Sequence, residues 1–350
     1  MLPLEMPRIG RRASGARDLI SDVAGVTVGH HTIADGEVQT GVTVIRPHAG
    51  DPYTDKVPAA SVIINGHTKA MGLSQLDELG VFETPIALTN TLCVGAVGMA
   101  QVREAIRTHP RICRGTGSCN PLVFECSDAL LSDIQQLTIT DEHYLAALAD
   151  CKPDFACGAV GAGRGMVNFG LKGGVGSASR IARADEHEYT VGALVLSNYG
   201  KPHQLIVAGQ RIGELLQDAA ERDRQPETGS IIIILATDAP LEHRQLRRLA
   251  QRATAGLART GSVFGHGSGD AVVAFTTSHT VRYAIEGEPT GALRPALQYL
   301  YDTALDPEFF EAAADATEQA ILKAIYSAET VVGFGGAQRL SLVDALRRVV

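Results

Sequence analysis

The run SIIIILAT at Ser230–Thr237 constrains the fold of this 350-residue chain more than any other segment. Nearly every side chain in the run is β-branched or apolar, so a strand built from it has no face suited to water. Such strands are typical of the interior of a sheet that is covered on both sides by helices. A second buried strand is indicated by AVVAFTT at Ala271–Thr277. We therefore expect a central, covered sheet.

Helical patterns and shorter strands alternate with these two runs along the chain. Val94–Thr108 has a helical pattern, and Pro240 opens a segment whose apolar residues recur at helical spacing. Further strands are predicted at Val23–Val28 and Thr190–Ser197. No long internal repeat and no Pro/Ser-rich linker divides the sequence. The simplest interpretation is a single α/β unit that spans residues 1–350.

Glycine is the second unusual feature of the sequence. The chain has 37 glycines, and eight of them lie in the twenty residues Cys157–Gly176, a density that excludes a stable helix. Gly161–Gly165 hints at a dinucleotide-binding fingerprint, but the spacing of the third glycine is wrong. Lys172 lacks the Gly-Lys-Ser/Thr context of a phosphate-binding loop. The block therefore predicts tightly turned backbone and no nucleotide site.

Charge and composition exclude several classes of partner. The chain carries 31 Lys and Arg against 39 Asp and Glu, a net charge of −8, and has no Trp, which argues against nucleic acid and against an anionic membrane as partners. The longest apolar stretch, Ile231–Ala236, is too short to cross a bilayer. The six cysteines include no CxxC pair, and the N-terminus lacks the apolar core of an export signal. These features predict a cytoplasmic protein with reduced thiols and no metal site.

The segment Glu227–Ser230, directly before the Ile-rich strand, carries the clearest chemical signal. Gly229 places a residue without a Cβ next to the potential nucleophile Ser230. Self-cleavage requires such a pair: the hydroxyl attacks the glycine carbonyl, the acyl group moves from nitrogen to oxygen, and water releases the ester. Ser230 would then own a free α-amine, with an ordinary pKa of about 7.7–8.0, that can act as a general base. The alternative is an ordinary start of a strand.

Several long blocks, in order along the chain, carry a resemblance to a known family. They are ARDLISDVAGVTVGHHT, TNTLCVGAV, GAGRGMVNFGLKGGVGSASR, VLSNYG, TGSIIIILATDAPL and ARTGSVFGHGSGD. The chain thereby resembles the L-aminopeptidase/D-esterase family, which includes the β-peptidyl aminopeptidases. The resemblance implies a four-layer αββα sandwich of the N-terminal-nucleophile type, shared with ornithine acetyltransferases. It also implies autoproteolysis into residues 1–229 and 230–350, which stay associated, and a homotetramer of such pairs.

The resemblance assigns a role to each matching residue. Ser230 matches the nucleophile, and Ser268 and Asp270 match residues that orient it and its amine. Asn198 matches an asparagine that donates a hydrogen bond to the oxyanion. Glu125 matches a carboxylate that binds the substrate ammonium, which explains selectivity for a free N-terminus. Without the family, simpler interpretations are available. Ser268 and Asp270 would cap their own glycine turn, Asn198 would begin an Asn-Tyr-Gly turn, and Glu125 would be a solvated carboxylate at a strand end.

One position departs from part of the family. Some members have a tyrosine two residues after the glutamate, where this chain has Ser127. Backbone N–H groups would therefore have to supplement Asn198, and the pocket is expected to differ in size.

The implied reaction is hydrolysis of the N-terminal residue from a short peptide, amide or ester, without a metal or cofactor. Two alternatives stay open: acyl transfer like that of ornithine acetyltransferases, which use a threonine nucleophile, and an unprocessed, non-catalytic binding protein.

Overall fold

The computed structural model describes residues 3–216, 229–283 and 296–349. Its strands are β1 (Thr27–Asp35), β2 (Val38–Arg46), β3 (Asp55–Ile63), β4 (Val81–Phe82), β5 (Ile86–Asn90), β6 (Leu122–Cys126), β7 (Val167–Asn168), β8 (Leu171–Lys172), β9 (Gly174–Ala184), β10 (His187–Asn198), β11 (Ser230–Thr237), β12 (Ala271–Thr276), β13 (Val281–Arg282), β14 (Val331–Val332) and β15 (Gln338–Arg339). Its α-helices are α1 (Leu73–Leu79), α2 (Val94–Thr108), α3 (Asp141–Ala149), α4 (Ile212–Leu215), α5 (His243–Arg259), α6 (Glu308–Tyr326) and α7 (Leu342–Val349). Glu227 and Thr228, just before the predicted cleavage point, lie outside the described residues.

Two large sheets form the centre of the molecule. The smaller sheet has the strand order β1-β2-β5-β6. The larger sheet has the order β13-β3-β12-β11-β10-β9, with β4 paired to β3. The SIIIILAT strand, β11, pairs antiparallel with β10 and parallel with β12. Every residue of β11 after Ser230 is buried, which confirms the prediction of a central strand covered on both faces.

Apolar layers hold the sheets and helices together. Between the two sheets, Phe124 of β6 belongs to the same buried cluster as Ile232 and Ile234 of β11. On the other face of the larger sheet, Ile231 and Ile233 pack with residues of α5 and α6. Helices α2 and α3 cover the outer face of the smaller sheet. Alternate side chains of β11 thus pack against the helices on one face and against the smaller sheet on the other. The layers have the αββα order that was predicted.

The predicted strand Val23–Val28 is wrong over most of its length. A short 3₁₀ helix occupies Ile20–Asp22, and β1 begins only near the end of the predicted range. The Asp22 carboxylate accepts hydrogen bonds from the backbone N–H groups of Arg17 and Leu19. Within the predicted range, the N–H of Val26 donates to Val23 O at 3.1 Å across a turn in which Gly25 has a positive φ. This turn takes the place of strand pairing before Thr27.

The start of α5 also differs from its prediction, whereas α2 has the predicted bounds. Pro240 does not open the helix, which begins at His243. The Glu242 N–H donates a hydrogen bond to Gln245 Oε1 at 3.1 Å and so caps the first turn. The glycine block is irregular as predicted: a 3₁₀ turn at Gly161–Gly163 and the β7-β8 hairpin precede β9.

Three further features bear on the composition arguments. No described helix is long and apolar enough to cross a membrane. The six cysteines are all free thiols. Within the described ranges, no three or more His, Cys, Asp or Glu side chains form a group that could hold a metal ion.

Candidate active site

The ends of neighbouring strands bring several predicted residues together. Asn198 is the last residue of β10, and Ser230, the first of β11, lies directly opposite it in the antiparallel pair. Strand β12 runs parallel to β11 and begins at Ala271, so Asp270 immediately precedes it at the same edge of the sheet. Parallel strands start at one edge, and residues far apart in sequence therefore meet around Ser230.

Ser230 is flanked by two glycines that lie against neighbouring backbone. The Gly269 N–H donates a hydrogen bond to Ser230 Oγ at 3.2 Å. A Cβ on Gly269 would lie 2.6 Å from the backbone N of Thr68, and a Cβ on Gly229 would lie 2.4 Å from the carbonyl O of Asn198. Both distances are shorter than van der Waals contact, so a larger residue at either position would displace the backbone around the nucleophile.

A buried carboxylate fixes the strand next to the nucleophile. Asp270 Oδ1 accepts hydrogen bonds from Ser268 Oγ at 2.6 Å and from the backbone N of Ile231 at 3.0 Å. Its Oδ2 accepts a hydrogen bond from Asn65 Nδ2 at 2.8 Å. Burial raises the pKa of Asp270, and these hydrogen bonds oppose the rise. The structure thus places Ser268 and Asp270 beside the backbone N–H of the residue that follows Ser230.

The side-chain amide of Asn198 has a fixed orientation. Its Oδ1 accepts a hydrogen bond from the backbone N of Val167 at 2.7 Å, and its Nδ2 donates to the carbonyl O of Ser127 at 3.0 Å. An amide nitrogen carries two hydrogens, so one remains for a group in the site. Ser127 therefore contributes its backbone carbonyl to the site by holding Asn198.

Glu125 is buried, with 1% of its surface exposed, so the interpretation as a solvated strand-end carboxylate is wrong. Its Oε1 accepts a hydrogen bond from the backbone N of Lys69 at 3.0 Å, and its Oε2 accepts one from Thr91 Oγ1. No basic side chain in the described part of the chain forms an ion pair with it. The backbone just before Lys69 lies against Gly269, the donor to Ser230, so one segment connects the carboxylate with the nucleophile.

The sequence did not point to five residues that form hydrogen bonds with the predicted site residues: Asn65, Lys69, Thr91, Val167 and Gly269. Lys69, Val167 and Gly269 act through backbone N–H groups, which no residue type indicates. Thr91 and Gly269 lie inside blocks that carry the family resemblance, and Asn65 ends the apolar run ASVIIN. A polar residue that closes a buried strand was the one signal available for Asn65.

Asp128 is a third buried carboxylate near the site, and no sequence feature pointed to it. Its side chain is fully buried and follows Ser127 in the chain. Among the described residues, neither carboxylate oxygen has a hydrogen-bond partner of normal geometry. Burial raises the pKa of Asp128 to about 7, the side chains of Thr40 and Asn90 oppose this rise, and the charge of Glu125 adds to it. Asp128 therefore titrates near neutral pH.

Comparison with known proteins decides the family. The sequence model of peptidase family S58 matches residues 18–339, most of the chain. The chain belongs to this family. It is 35% identical to the β-peptidyl aminopeptidase BapA of Sphingosinicella xenopeptidilytica, over 96% of this chain and 87% of that protein.

Two solved structures of aminopeptidases resemble this peptidase over nearly its whole length. A β-aminopeptidase from a Burkholderia species has a TM-score of 0.88 at 39% identity, covering 98% of this chain and 97% of that one. The L-aminopeptidase D-Ala-esterase/amidase of Ochrobactrum anthropi, a variant of the Ntn hydrolase fold, has a TM-score of 0.89 at 31% identity, covering 99% and 96%. The peptidase is thus an aminopeptidase of the N-terminal-nucleophile type, which confirms the resemblance found in the sequence. The family indicates a hydrolase, not an acetyltransferase or a non-catalytic binding protein.

Proposed function

We propose that this peptidase cuts its own chain between Gly229 and Ser230, and that Ser230 then removes the N-terminal residue from short peptides, amides or esters. The observation that carries the proposal is the position of Ser230 Oγ. Ser230 is the partly exposed first residue of the central strand β11 and lies opposite Asn198 of β10. Its hydroxyl accepts a hydrogen bond from the Gly269 N–H. A hydrogen bond to the nucleophilic hydroxyl holds its oxygen in position for attack on a carbonyl carbon.

Self-cleavage is a rearrangement within one peptide unit. Ser230 Oγ attacks the carbonyl carbon of Gly229, and the C–N bond between the two residues breaks as an ester forms. The hydroxyl proton moves to the departing nitrogen, which becomes the α-amine of Ser230. Water then hydrolyses the ester, which leaves a carboxylate on Gly229 and restores the hydroxyl. Only glycine fits at position 229, because a Cβ there would also lie 2.5 Å from the Cα of Tyr199. Glycine thus keeps the scissile peptide next to Ser230.

In the processed enzyme, the same hydroxyl attacks the substrate. The Ser230 α-amine, with an ordinary pKa of about 7.7–8.0, takes the hydroxyl proton and later gives it to the leaving group. Asp270, bonded to the next backbone N–H, stabilises the resulting ammonium. The Asn198 hydrogen that does not bind Ser127 donates to the oxyanion, while the Gly269 N–H holds Ser230 Oγ in position for the attack. Water releases the acyl group, and no step in this sequence uses a metal or cofactor.

Glu125 supplies selectivity for a free N-terminus in this proposal. It is a buried acceptor without a basic partner among the described side chains, so we expect it to bind the ammonium of a substrate strongly. Internal peptide nitrogens carry no charge and would gain nothing from it. The relatives are named for β-peptidyl, L-amino and D-alanyl chemistry, so we propose an amino-acyl substrate whose amine is free.

The function is tested by the release of p-nitroaniline from L-alanyl, D-alanyl and β-homo-amino-acyl anilides. We expect hydrolysis of at least one of these anilides, none of its N-acetylated form, and no activity in Ser230→Ala. The same preparation is offered N-acetylornithine and glutamate. Transfer of the acetyl group without anilide hydrolysis would overturn the proposal in favour of an acyltransferase.

We also propose that αβ pairs assemble into a homotetramer, with a second copy of this chain covering part of α2. Met99 and Ile106 lie seven residues apart on one face of α2, and Leu92 lies in the 3₁₀ turn directly before the helix. Each of the three side chains is about half exposed. Light scattering should give the mass of four αβ pairs, and Met99→Glu should reduce it. A wild-type mass of a single pair would contradict the assembly.

A cytoplasmic location is the remaining proposal, and the free thiols support it. None of the six cysteines forms a disulfide, as expected where thiols are kept reduced. Fractionation of the source cells should place the activity in the cytoplasm, and its recovery from the cell exterior would contradict this proposal.

A further inference from the structure

Lys172, within the glycine block, is a fully buried lysine that the mechanism above does not use. Its ammonium donates to three backbone carbonyls: Gly163 O at 2.9 Å, Met166 O at 2.8 Å and Gly173 O at 2.7 Å. No carboxylate in the described ranges forms an ion pair with it. Burial lowers the pKa of Lys172 well below its ordinary value. A buried charge held only by neutral dipoles is costly, which points to a specific task.

The carbonyl of Met166 belongs to the same peptide unit as the N–H of Val167. That N–H donates to Asn198 Oδ1 at 2.7 Å, while Lys172 binds the opposite end of the unit. A peptide unit is planar, so fixing its carbonyl also fixes the direction of its N–H. An ammonium on the oxygen further polarises the N–H and strengthens the bond that it donates. One planar group thus connects the buried charge with the amide of Asn198.

The glycines of the block permit this cage of carbonyls to close. A Cβ on Gly163 would lie 2.4 Å from the backbone N of Val175, and a Cβ on Gly173 would lie 2.5 Å from the carbonyl O of Ser197. Both positions therefore need glycine for backbone packing. The same two residues supply two of the three carbonyls that hold Lys172.

We propose that Lys172 is a positioning residue, which acts through the Met166–Val167 peptide to hold the Asn198 amide in its productive orientation. With Oδ1 bonded to Val167, the amide nitrogen faces the carbonyl of Ser127. Without the ammonium, the Met166 carbonyl would keep only its hydrogen bond from the Gly173 N–H, at 2.9 Å. The peptide unit would then be held less firmly, and the Asn198 amide could turn its oxygen towards the oxyanion. The inference rests on the proposed role of Asn198 in stabilising that oxyanion.

A double-mutant cycle tests the inference. Intact mass spectrometry gives the cleaved fraction of each variant, and anilide hydrolysis is normalised to it. Lys172→Met should lower kcat by about 10- to 100-fold, the size expected for a displaced catalytic group, with KM changed by less than about twofold. In an Asn198→Ala background, the same substitution should change kcat by less than about twofold, because the group through which it acts is gone. Equal losses in both backgrounds would overturn the inference.

Two further variants separate the explanations. Lys323→Met removes another lysine that donates to a backbone carbonyl, that of Asp18 at 2.5 Å, and should leave kcat unchanged. Lys172→Gln keeps donors for the carbonyls without the charge, and replaces Lys172→Met in the cycle if that variant does not fold. Full activity of Asn198→Ala would instead refute the proposed role of Asn198. An impaired Asn198→Ala with an additive loss from Lys172 would refute only the positioning role.

Discussion

Backbone groups, rather than opposite charges, hold the polar side chains of this site. Glu125 is held by the N–H of Lys69, Asp270 by the N–H of Ile231, and Asn198 through the N–H of Val167. A carboxylate held by neutral donors keeps its negative charge available for a cation that arrives later. This arrangement suits an enzyme whose substrate and nucleophile both bear amines.

Replacing Glu125 by Gln should lower kcat/KM for free-amine substrates by about 10- to 100-fold. Hydrogen bonds to a charged group contribute about 1.5–3 kcal/mol, and each 1.4 kcal/mol corresponds to about tenfold. Anilide kinetics measure the loss, and unchanged self-cleavage shows that the nucleophile is intact. Glu329→Gln, at an exposed glutamate that pairs with Arg164, is the control. Wild-type kcat/KM in Glu125→Gln would show that the substrate amine binds elsewhere.

Asp128 should make the stability of the protein depend on pH. Its pKa is raised from 3.8 to about 7, so the folded state holds this proton more tightly than the unfolded chain. The contribution of Asp128 to the free energy of unfolding therefore falls as pH rises from about 4 to about 7, and stays low above that range. Asp128→Asn should raise Tm relative to wild type at pH 8, and the two Tm values should converge near pH 4.

The control for that measurement is Asp35→Asn, at an exposed aspartate that ends β1. Its Tm difference from wild type should not vary with pH. A constant difference between Asp128→Asn and wild type across pH 4 to 8 would contradict the raised pKa of Asp128.

Backbone hydrogen bonds join the two loops that connect the strands of the site. The N–H of Ile64 donates to Asp270 O at 2.9 Å, and the N–H of Asp270 donates to Asn65 O at 3.2 Å. Gly269 lies against the same segment, which continues to the residue that holds Glu125. A shift of this segment would therefore move the donor to Ser230 and the carboxylate together.

Gly269→Ala should impair both self-cleavage and peptidase activity. The added Cβ would lie 2.6 Å from the backbone N of Thr68, and relieving that contact must move one loop away from the other. We expect a loss of about 10²-fold in turnover, as for other small displacements of catalytic groups. Gly66→Ala lies in the same segment with no atom within 4 Å of its Cβ, and should retain activity. Comparable losses in both variants would show that the segment tolerates no side chain for another reason.

The elements that were predicted well are those whose pattern is set by burial. The bounds of α2 and β11 follow from long apolar patterns that only one arrangement can bury. The strand predicted at Val23–Val28 is wrong over most of its length because a local turn, closed by the bond from Val26 N–H to Val23 O, occupies its first residues. Within the site, the family resemblance pointed to side chains such as Ser230 and Asn198, whereas the bonds from Val167 and Gly269 depend on tertiary structure alone.

The proposed cut divides the chain within the larger sheet. Strand β11 of residues 230–350 pairs with β10 of residues 1–229 along its length, and β12 pairs with β3. Helix α6 also packs on β9 and β10. The buried apolar layers are therefore shared by both pieces, and cleavage removes only one covalent bond.

The two pieces should consequently behave as one folded unit after cleavage. Native size-exclusion chromatography should give one peak that contains both chains, and calorimetry should give one cooperative transition. Elution of the chains in separate peaks without denaturant would contradict the shared sheet.

The most direct test of the proposed mechanism is the intact mass of the purified protein. The whole chain has a mass of 36.9 kDa, and cleavage after Gly229 divides it, in proportion to length, into chains of about 24 and about 13 kDa. We predict both masses for the wild type, with Ser230 as the first residue of the smaller chain, and one uncut chain for Ser230→Ala. An uncut wild-type chain that hydrolyses amino-acyl anilides, or a cut that persists in Ser230→Ala, would contradict the proposal that Ser230 creates its own catalytic amine.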